Sequence, residues 1–391
     1  MKRLLFGLLL LNACQRAPVQ AEALQFPEPD GPYSVGRTEQ QFQDPSRPEM
    51  FTKDPNDVRT LPVTYYYPVS GAKTLHPWVS GKVLDALVQS SGLDRTLLSR
   101  IQSYALREAP IAQGQFPLVV LSHGMGTTPY LNTTLAEEVA SQGFIVAAVS
   151  HTHSALFAVT DAGTIYRSDA ADTQVPDSPA TDPIQITRAL HEKSLRVQDI
   201  WAKDLQFLLR SIPEQSPLKD HLNTHFTALM GHSFGGATTM KISGQVQAAI
   251  NLDGSLWGEL KDHLNSTPSL VLVEEGTPRE IQVPPQLEEI RPLIEITSIG
   301  NWQKAKASTS YAGYAEVKGS KHDNFTDLNV LGTLIPDLKE SPLVSLGTAD
   351  PLKTQNLINR MVVHFLKSVH AGKTPDLKAL NLDAQFNFLY P

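Results

Sequence analysis

Cysteine is nearly absent from this chain: Cys14 is the only one among 391 residues. A lone thiol cannot close an intramolecular disulfide, and the body of the chain has no cysteine to serve as nucleophile or zinc ligand. The 12 histidines show no ligand spacing such as His-Glu-x-x-His, so neither a metal nor another cofactor is implied. Charge of one sign is scarce too, with 33 basic against 40 acidic residues and a net charge of -7. Without a basic stripe, nucleic acid is not an expected partner. The apolar run Leu4–Leu11 is far too short to span a bilayer as a permanent helix.

What is present is an apolar fraction of 41%, enough for one large α/β domain with insertions, and we expect residues 24–391 to form a single domain. Residues 1–23 read as an export signal: Lys2 and Arg3 precede the apolar run. Leu11-Asn12-Ala13-Cys14 is similar to the lipobox of bacterial lipoproteins, which would make Cys14 a lipidation site and a means of membrane attachment. Ala21-Glu22-Ala23 is a competing conventional cleavage site. The expected location is outside the cytoplasm of a bacterial cell, either periplasmic or on a membrane through a lipid, or else secreted.

Residues 24–60 are polar and rich in Pro, Gln and Asp, and are expected to wrap the surface without regular structure. Residues 61–68 read as an early strand. An insertion at about 71–114 carries two helical stripes, Val83, Leu84, Leu87, Val88 and then Leu97, Leu98, Ile101, Tyr104, Ala105. The pair, with Trp78 beside it, either forms a cap or an interfacial membrane contact, or packs on the main domain. Phe116–Leu121 and Gly143–Val149 are near-continuous apolar strands with a helix over residues 131–142 between them, and such strands belong in a parallel sheet covered on both faces. Residues 160–186 read as a surface loop, and 187–212 as a long helix with a core stripe of Val197, Ile200, Trp201, Leu205 and Leu208.

Gly231-His232-Ser233-Phe234-Gly235 carries the chemistry. It lies between the apolar run 226–230 and the small-residue helix beginning near Gly236, so Ser233 sits on a tight strand-to-helix turn that lifts its hydroxyl clear of a sheet. That is the nucleophile elbow of an α/β-hydrolase fold: a mostly parallel central sheet, helices on both faces and here a helical insertion before the oxyanion-loop strand. Attack on an ester builds charge on the carbonyl oxygen. The expected donors to it are the Phe234 amide, after the nucleophile, and the Met125 amide in the loop His123-Gly124-Met125-Gly126.

A serine nucleophile needs a base and an orienting acid. Residues 246–252 read as a strand ending at Asp253, and 314–317 as one followed by a loop carrying His322. Glu274 and Glu275, ending the strand 269–273, are rival acids at the more usual position. Asp323 reads as a loop-capping residue. His123, His151 and His153 are candidate substrate-binding residues, each with a structural alternative in shaping its loop.

Together Ser122–Gly126, Gly143–Val149, Gly231–Thr238, Leu252–Gly254 and Gly319–Phe325 resemble the plasma-type (group VII) platelet-activating factor acetylhydrolase family, over roughly residues 60–370. The resemblance implies Ser233 as nucleophile, Asp253 as acid, His322 as base, and Met125 and Phe234 as oxyanion donors. It implies a cofactor-free serine esterase acting on short-acyl or oxidised phospholipids. The chain departs from the animal enzymes at Ser150-His151-Thr152-His153-Ser154, where those carry acidic and basic residues. A broad carboxylesterase for small or polymeric esters, or a non-catalytic hydrolase-fold binding protein, are the other readings.

Overall fold

The computed structural model describes residues 24–390 apart from 169–170, 172–180, 259–262, 279–282, 292, 294–301, 303–305, 308–309 and 383–385. The expected leader, Cys14 and the cleavage site at 21–23 lie outside the described residues, as does much of the loop expected at 160–186.

Ten strands form one mixed sheet. In chain order they are β1 (Ser34–Pro48), β2 (Val58–Val69), β3 (Ala105–Arg107), β4 (Phe116–Ser122), β5 (Ile145–Val149), β6 (Leu222–His232), β7 (Ala248–Leu252), β8 (Ser269–Glu274), β9 (Ala312–Val317) and β10 (Phe386–Tyr390). Across the sheet the order is β10-β9-β8-β7-β6-β4-β5-β2-β1-β3. The block from β5 to β9 is parallel. Antiparallel strands flank it, β2 on β5 with β1 beyond it, and β10 on β9.

Both faces of the parallel block are covered, which is why its strands read as continuous apolar runs. Val119 and Leu121 of β4 point into a core shared with α3 (Thr133–Ser141) and α7 (Pro351–His370), where Leu135, Val139, Ile358, Val362 and Phe365 lie. Leu118 and Val120 point the other way, onto Leu205, Leu208 and Ile212 of α4 (Pro183–Gln215). Each such fully buried side chain contributes about 2 kcal/mol by leaving water. Pro183 opens α4 where its missing N–H is no loss, and Pro213 falls in the last turn, so the helix outruns the expected 187–212 at both ends.

Three expectations are corrected. Residues 24–60 are not irregular: Ser34–Pro48 is a fifteen-residue strand paired with β2 from Ser34↔Val69 to Asp44↔Arg59. The second insertion stripe is not one helix. After α1 (Gly81–Ser91), α2 (Arg95–Ser99) stops before Ile101, and Gln102–Ser103 and Ala105–Arg107 are extended. Within the expected loop after residue 160, Gly163–Tyr166 pairs with Phe157–Thr160 as a hairpin.

The insertion packs on the main body rather than presenting its apolar face. Val83, Leu84, Leu87, Leu98 and Ile101 are buried with Phe26, Tyr130, Phe157 and Val330, the last on α6 (Leu328–Leu334). Trp78 is anchored by its indole N–H, which donates to Thr133 Oγ1 at 3.0 Å. Among the described residues, no helix is long and apolar enough to cross a membrane.

Candidate active site

The strand register brings the chemistry to one edge. Ser122 ends β4 opposite Gly231 of β6 and Val149 of β5, and His232 of β6 stands opposite Leu252 of β7. The turns after β4, β5, β6 and β7 therefore open on the same side of the sheet. Ser233 lies between β6 and α5 (Phe234–Lys241) with φ 53° and ψ -123°, a backbone state that side chains of L-residues rarely adopt. It is pinned there because its N–H donates to Leu252 O at 2.8 Å and its carbonyl accepts from Ala237 N at 3.0 Å. A Cβ on Gly235 would lie 2.4 Å from the backbone oxygens of both His123 and Ser122, so only glycine lets α5 pass this close to the oxyanion loop.

His322 Nε2 is 2.9 Å from Ser233 Oγ, and its Nδ1 is 2.6 Å from Asp253 Oδ2. Asp253 also has positive φ, 57°, and its Oδ1 accepts from the Glu274 backbone N–H at 2.8 Å. Both carboxylate oxygens are thus engaged. Burial pulls the His322 imidazole toward its neutral form, but the Asp253 hydrogen bond and charge, with Asp323 and Glu274 adding to it, leave its pKa above the ordinary 6.5. The His322 side chain is still 40% exposed, so the site is open to solvent.

Of the rival acids, Glu274 gives β8's backbone donor to Asp253, and no hydrogen bond joins its carboxylate to the His322 ring. Burial and the Asp253 charge push its own pKa up. Asp323 behaves as expected of a loop cap: its Oδ2 accepts from Ser345 N at 2.6 Å, and its N–H donates to Ser345 O.

Met125 and Phe234 come together at the same edge, both packed with Val197, Trp201 and Trp257. The Phe234 N–H is in the first turn of α5, where no helical carbonyl is available to it. Gly124 O accepts from Thr127 N at 3.1 Å and Thr127 Oγ1 at 2.9 Å, closing the loop that carries Met125.

Two of the three substrate-binding histidines are corrected. His123 and His151 are wholly buried and their ring nitrogens are taken up internally, so neither can touch a substrate. His123 Nδ1 is 2.7 Å from Gly124 O and its Nε2 accepts from His151 N at 3.1 Å. His151 Nε2 is 3.0 Å from Ser122 Oγ, its Nδ1 2.8 Å from Asp204 Oδ2, and its ring stacks on Trp201 at 3.8 Å. His153 is partly exposed beside the Phe51 ring, with Nε2 4.0 Å from Glu49 Oε2.

Sequence reasoning missed the ion network behind these histidines. Asp204 accepts from Arg59 Nε at 3.0 Å, Arg59 Nη2 at 2.7 Å and Arg47 Nη1 at 2.9 Å, while Arg59 Nη1 also reaches Glu49 Oε2. The signal was available: Asp204 is a charged residue one turn from Trp201, inside the apolar stripe of α4. Among the described residues, no group of three or more His, Cys, Asp or Glu is placed to hold a metal ion.

A serine, histidine and aspartate in hydrogen-bonded line, with the serine on a strained turn, is an arrangement suited to acyl transfer. The sequence profile described as platelet-activating factor acetylhydrolase, isoform II, matches residues 19–201 and 197–379. The chain belongs to that family. It is 23% identical to the platelet-activating factor acetylhydrolase of Gallus gallus over 382 residues, 88% of this chain and 83% of that one. It is 25% identical over 256 residues to a probable 1-alkyl-2-acetylglycerophosphocholine esterase of Arthroderma benhamiae, covering 60% of this chain and 59% of the fungal protein. The match to the Canis lupus familiaris family member, 25% identical over 56% of this chain, spans about half of that protein's length, 51%. Among solved structures, a ferulic acid esterase from Streptomyces cinnamoneus is similar with TM-score 0.70 and 25% identity, over 94% of this chain and 100% of that one. Family and structural likeness agree with the α/β-hydrolase fold expected from the elbow.

Proposed function

We propose that the protein is a serine-dependent carboxylic ester hydrolase whose preferred substrates are short-acyl or oxidised phospholipid-like esters. The observation that carries this reading is the unbroken line Asp253–His322–Ser233, 2.6 Å and then 2.9 Å. His322 takes the proton from Ser233 Oγ as the oxygen attacks the ester carbonyl. Asp253 holds the ring with Nδ1–H toward itself and stabilises the imidazolium, and the Met125 and Phe234 amides receive the developing oxyanion. His322 then gives its proton to the departing alkoxide, leaving an acyl group on Ser233. Water, activated by the same imidazole, attacks the acyl-enzyme and releases the acid.

The names of the family members support the phospholipid class, and the likeness to a ferulic acid esterase favours a second reading, a broad carboxylesterase. One experiment tests the chemistry and another separates the substrates. A fluorophosphonate should add its mass at Ser233 and abolish hydrolysis, and persistent labelling in Ser233→Ala would remove the reading. A phospholipid with a short sn-2 acyl chain should show higher kcat/KM than p-nitrophenyl esters of matched chain length, while equal or reversed values favour the broad esterase.

We further propose that residues 1–13 are a lipoprotein export signal and that Cys14, the first residue left after its removal, carries the lipid that attaches the protein to a membrane outside the cytoplasm. Metabolic labelling with a fatty-acid analogue should mark the wild type and not Cys14→Ser. Labelling of neither would leave soluble export through the site at 21–23.

A further inference from the structure

Two buried histidines of the strand-end turns, His123 and His151, are left unused by the mechanism. Their hydrogen bonds fix their tautomers. Asp204 is an obligate acceptor because Arg59 and Arg47 hold it as a carboxylate, so His151 Nδ1 carries the proton and donates to it. His151 Nε2 is then a bare acceptor for the Ser122 hydroxyl at 3.0 Å. The His151 backbone N–H donates to His123 Nε2, which must therefore lack a proton, so His123 Nδ1–H donates to Gly124 O at 2.7 Å. Burial favours the neutral form of both rings, holding His123 down at about 3.

The consequence lies in the next peptide. In a trans peptide the carbonyl and the following N–H point in opposite directions. Gly124 O is held by three donors, His123 Nδ1, Thr127 N and Thr127 Oγ1, so the N–H of Met125 is turned away from them. His151 fastens both residues that lead into this peptide, Ser122 by its ring and His123 by its backbone. A flip of the Gly124–Met125 peptide would break three hydrogen bonds.

We propose that His151, anchored on Asp204, and His123 are positioning residues that orient the Met125 amide for the oxyanion. The inference rests on the ester hydrolase reading and extends it to two buried side chains, Asp204 and Arg59. Asp204 lies on α4 and Arg59 on β2, so the relay ties the oxyanion loop to a helix covering the sheet and to the strand beyond β5.

The test uses the full chain with p-nitrophenyl acetate, counting active sites by fluorophosphonate titration so that misfolded protein does not enter kcat. Glutamine at residue 123 can keep an acceptor near the Nε2 position but loses the donor to Gly124 O, whereas asparagine keeps a donor near the Nδ1 position. His123→Gln should lower kcat per titrated site by about tenfold to a hundredfold with KM within about twofold, because donor alignment matters mainly in the transition state. Affinity for a trifluoromethyl ketone, whose adduct places an oxyanion in the same hole, should fall in parallel. His123→Asn should stay within about fivefold of wild type. Ser122→Ala removes one hydroxyl and should shift kcat the same way by a smaller factor, which keeps the test alive where a residue-123 variant fails to fold. Wild-type kcat in both His123→Gln and Ser122→Ala, equal losses in the Gln and Asn variants, or ketone affinity unchanged while kcat falls would each overturn the inference. A wild type that is neither labelled nor hydrolytic would remove the underlying reading along with it.

Discussion

The Glu274 backbone N–H donates to Asp253 Oδ1 at 2.8 Å, on the carboxylate oxygen that does not face His322. The end of β8, where a rival acid stands in sequence, thus supports the aspartate after β7 through its main chain. Asparagine at 253 can still accept the Glu274 amide but no longer enforces the Nδ1–H tautomer of His322. Asp253→Asn should therefore lower kcat on p-nitrophenyl acetate by about 10³- to 10⁴-fold while the fold persists. Glu274→Gln should change it by less than about fivefold, the scale of a partly exposed charge. The reverse ranking would move the acid to β8.

The pH dependence of kcat/KM follows from the raised pKa of His322. Catalysis needs the neutral imidazole, so the rate should fall tenfold per pH unit on the acid side, with its midpoint above the ordinary 6.5. The sign for stability is opposite. A histidine whose folded pKa is raised contributes stability that is fully present below the unfolded value and is lost as pH rises through the folded one. A rate profile with its midpoint well below 6.5 would show that Asp253 does not hold the ring in solution as it does here.

Close backbone approach at the elbow gives a third expectation. In Gly235→Ala the new methyl would meet the carbonyl oxygens of His123 and Ser122 at 2.4 Å, and neither is the end of a flexible side chain. The strand-to-helix turn or the oxyanion loop must shift, at about 1–3 kcal/mol. Thermal denaturation should show a Tm lower by a few degrees, and kcat should fall more than KM changes, since the loop that moves carries Met125. An unchanged kcat would mean that α5 alone gives way.

The catalytic line was legible because each member sits at a strand end marked by local chemistry: glycines around Ser233, Asp253-Gly254 after an apolar run, and His322 in a polar loop after β9. For His123 and His151 the structural alternative holds over substrate contact, because sequence cannot say which side of a turn faces solvent. His123 and His151 follow strands as the triad residues do, yet the His123 ring is buried against the His151 backbone N–H and Gly124 O and the His151 ring against Asp204. β1 was hidden for a related reason. Arg37 and Asp44 interrupt its apolar pattern yet are buried, Arg37 donating to Trp78 O and Asp44 bound by Arg47 and Ser46, partners the strand's own alternation does not reveal. α7 carries its signal in the spacing of Leu357, Ile358, Met361, Val362 and Phe365, a stretch left unassigned in the sequence analysis.

Buried titratable groups predict the shape of the stability curve. His123, His151 and His232 are wholly buried with depressed pKa values, so below about pH 6.5 the unfolded chain binds protons there that the folded chain does not. The stability contributed by these three groups therefore falls as pH drops through that range. Asp327, pushed up to about 7 by burial, works against this, and so does Glu137. Burial pushes its carboxyl up to about 7 although it accepts from the Tyr104 and Ala105 amides, so between about pH 4.5 and 7 the folded chain holds a proton that the unfolded chain has released. Its presence makes the acid limb shallower by one proton, about 1.4 kcal/mol per pH unit. Glu137→Gln keeps an acceptor for both amides and removes the titration. Its unfolding free energy, measured by denaturant titration at pH 5.0, 5.5, 6.0 and 6.5, should rise with pH more steeply than that of the wild type by about that amount. Parallel curves would show that Glu137 is ionised in the folded protein across this range and that the Arg37 guanidinium nearby outweighs its burial.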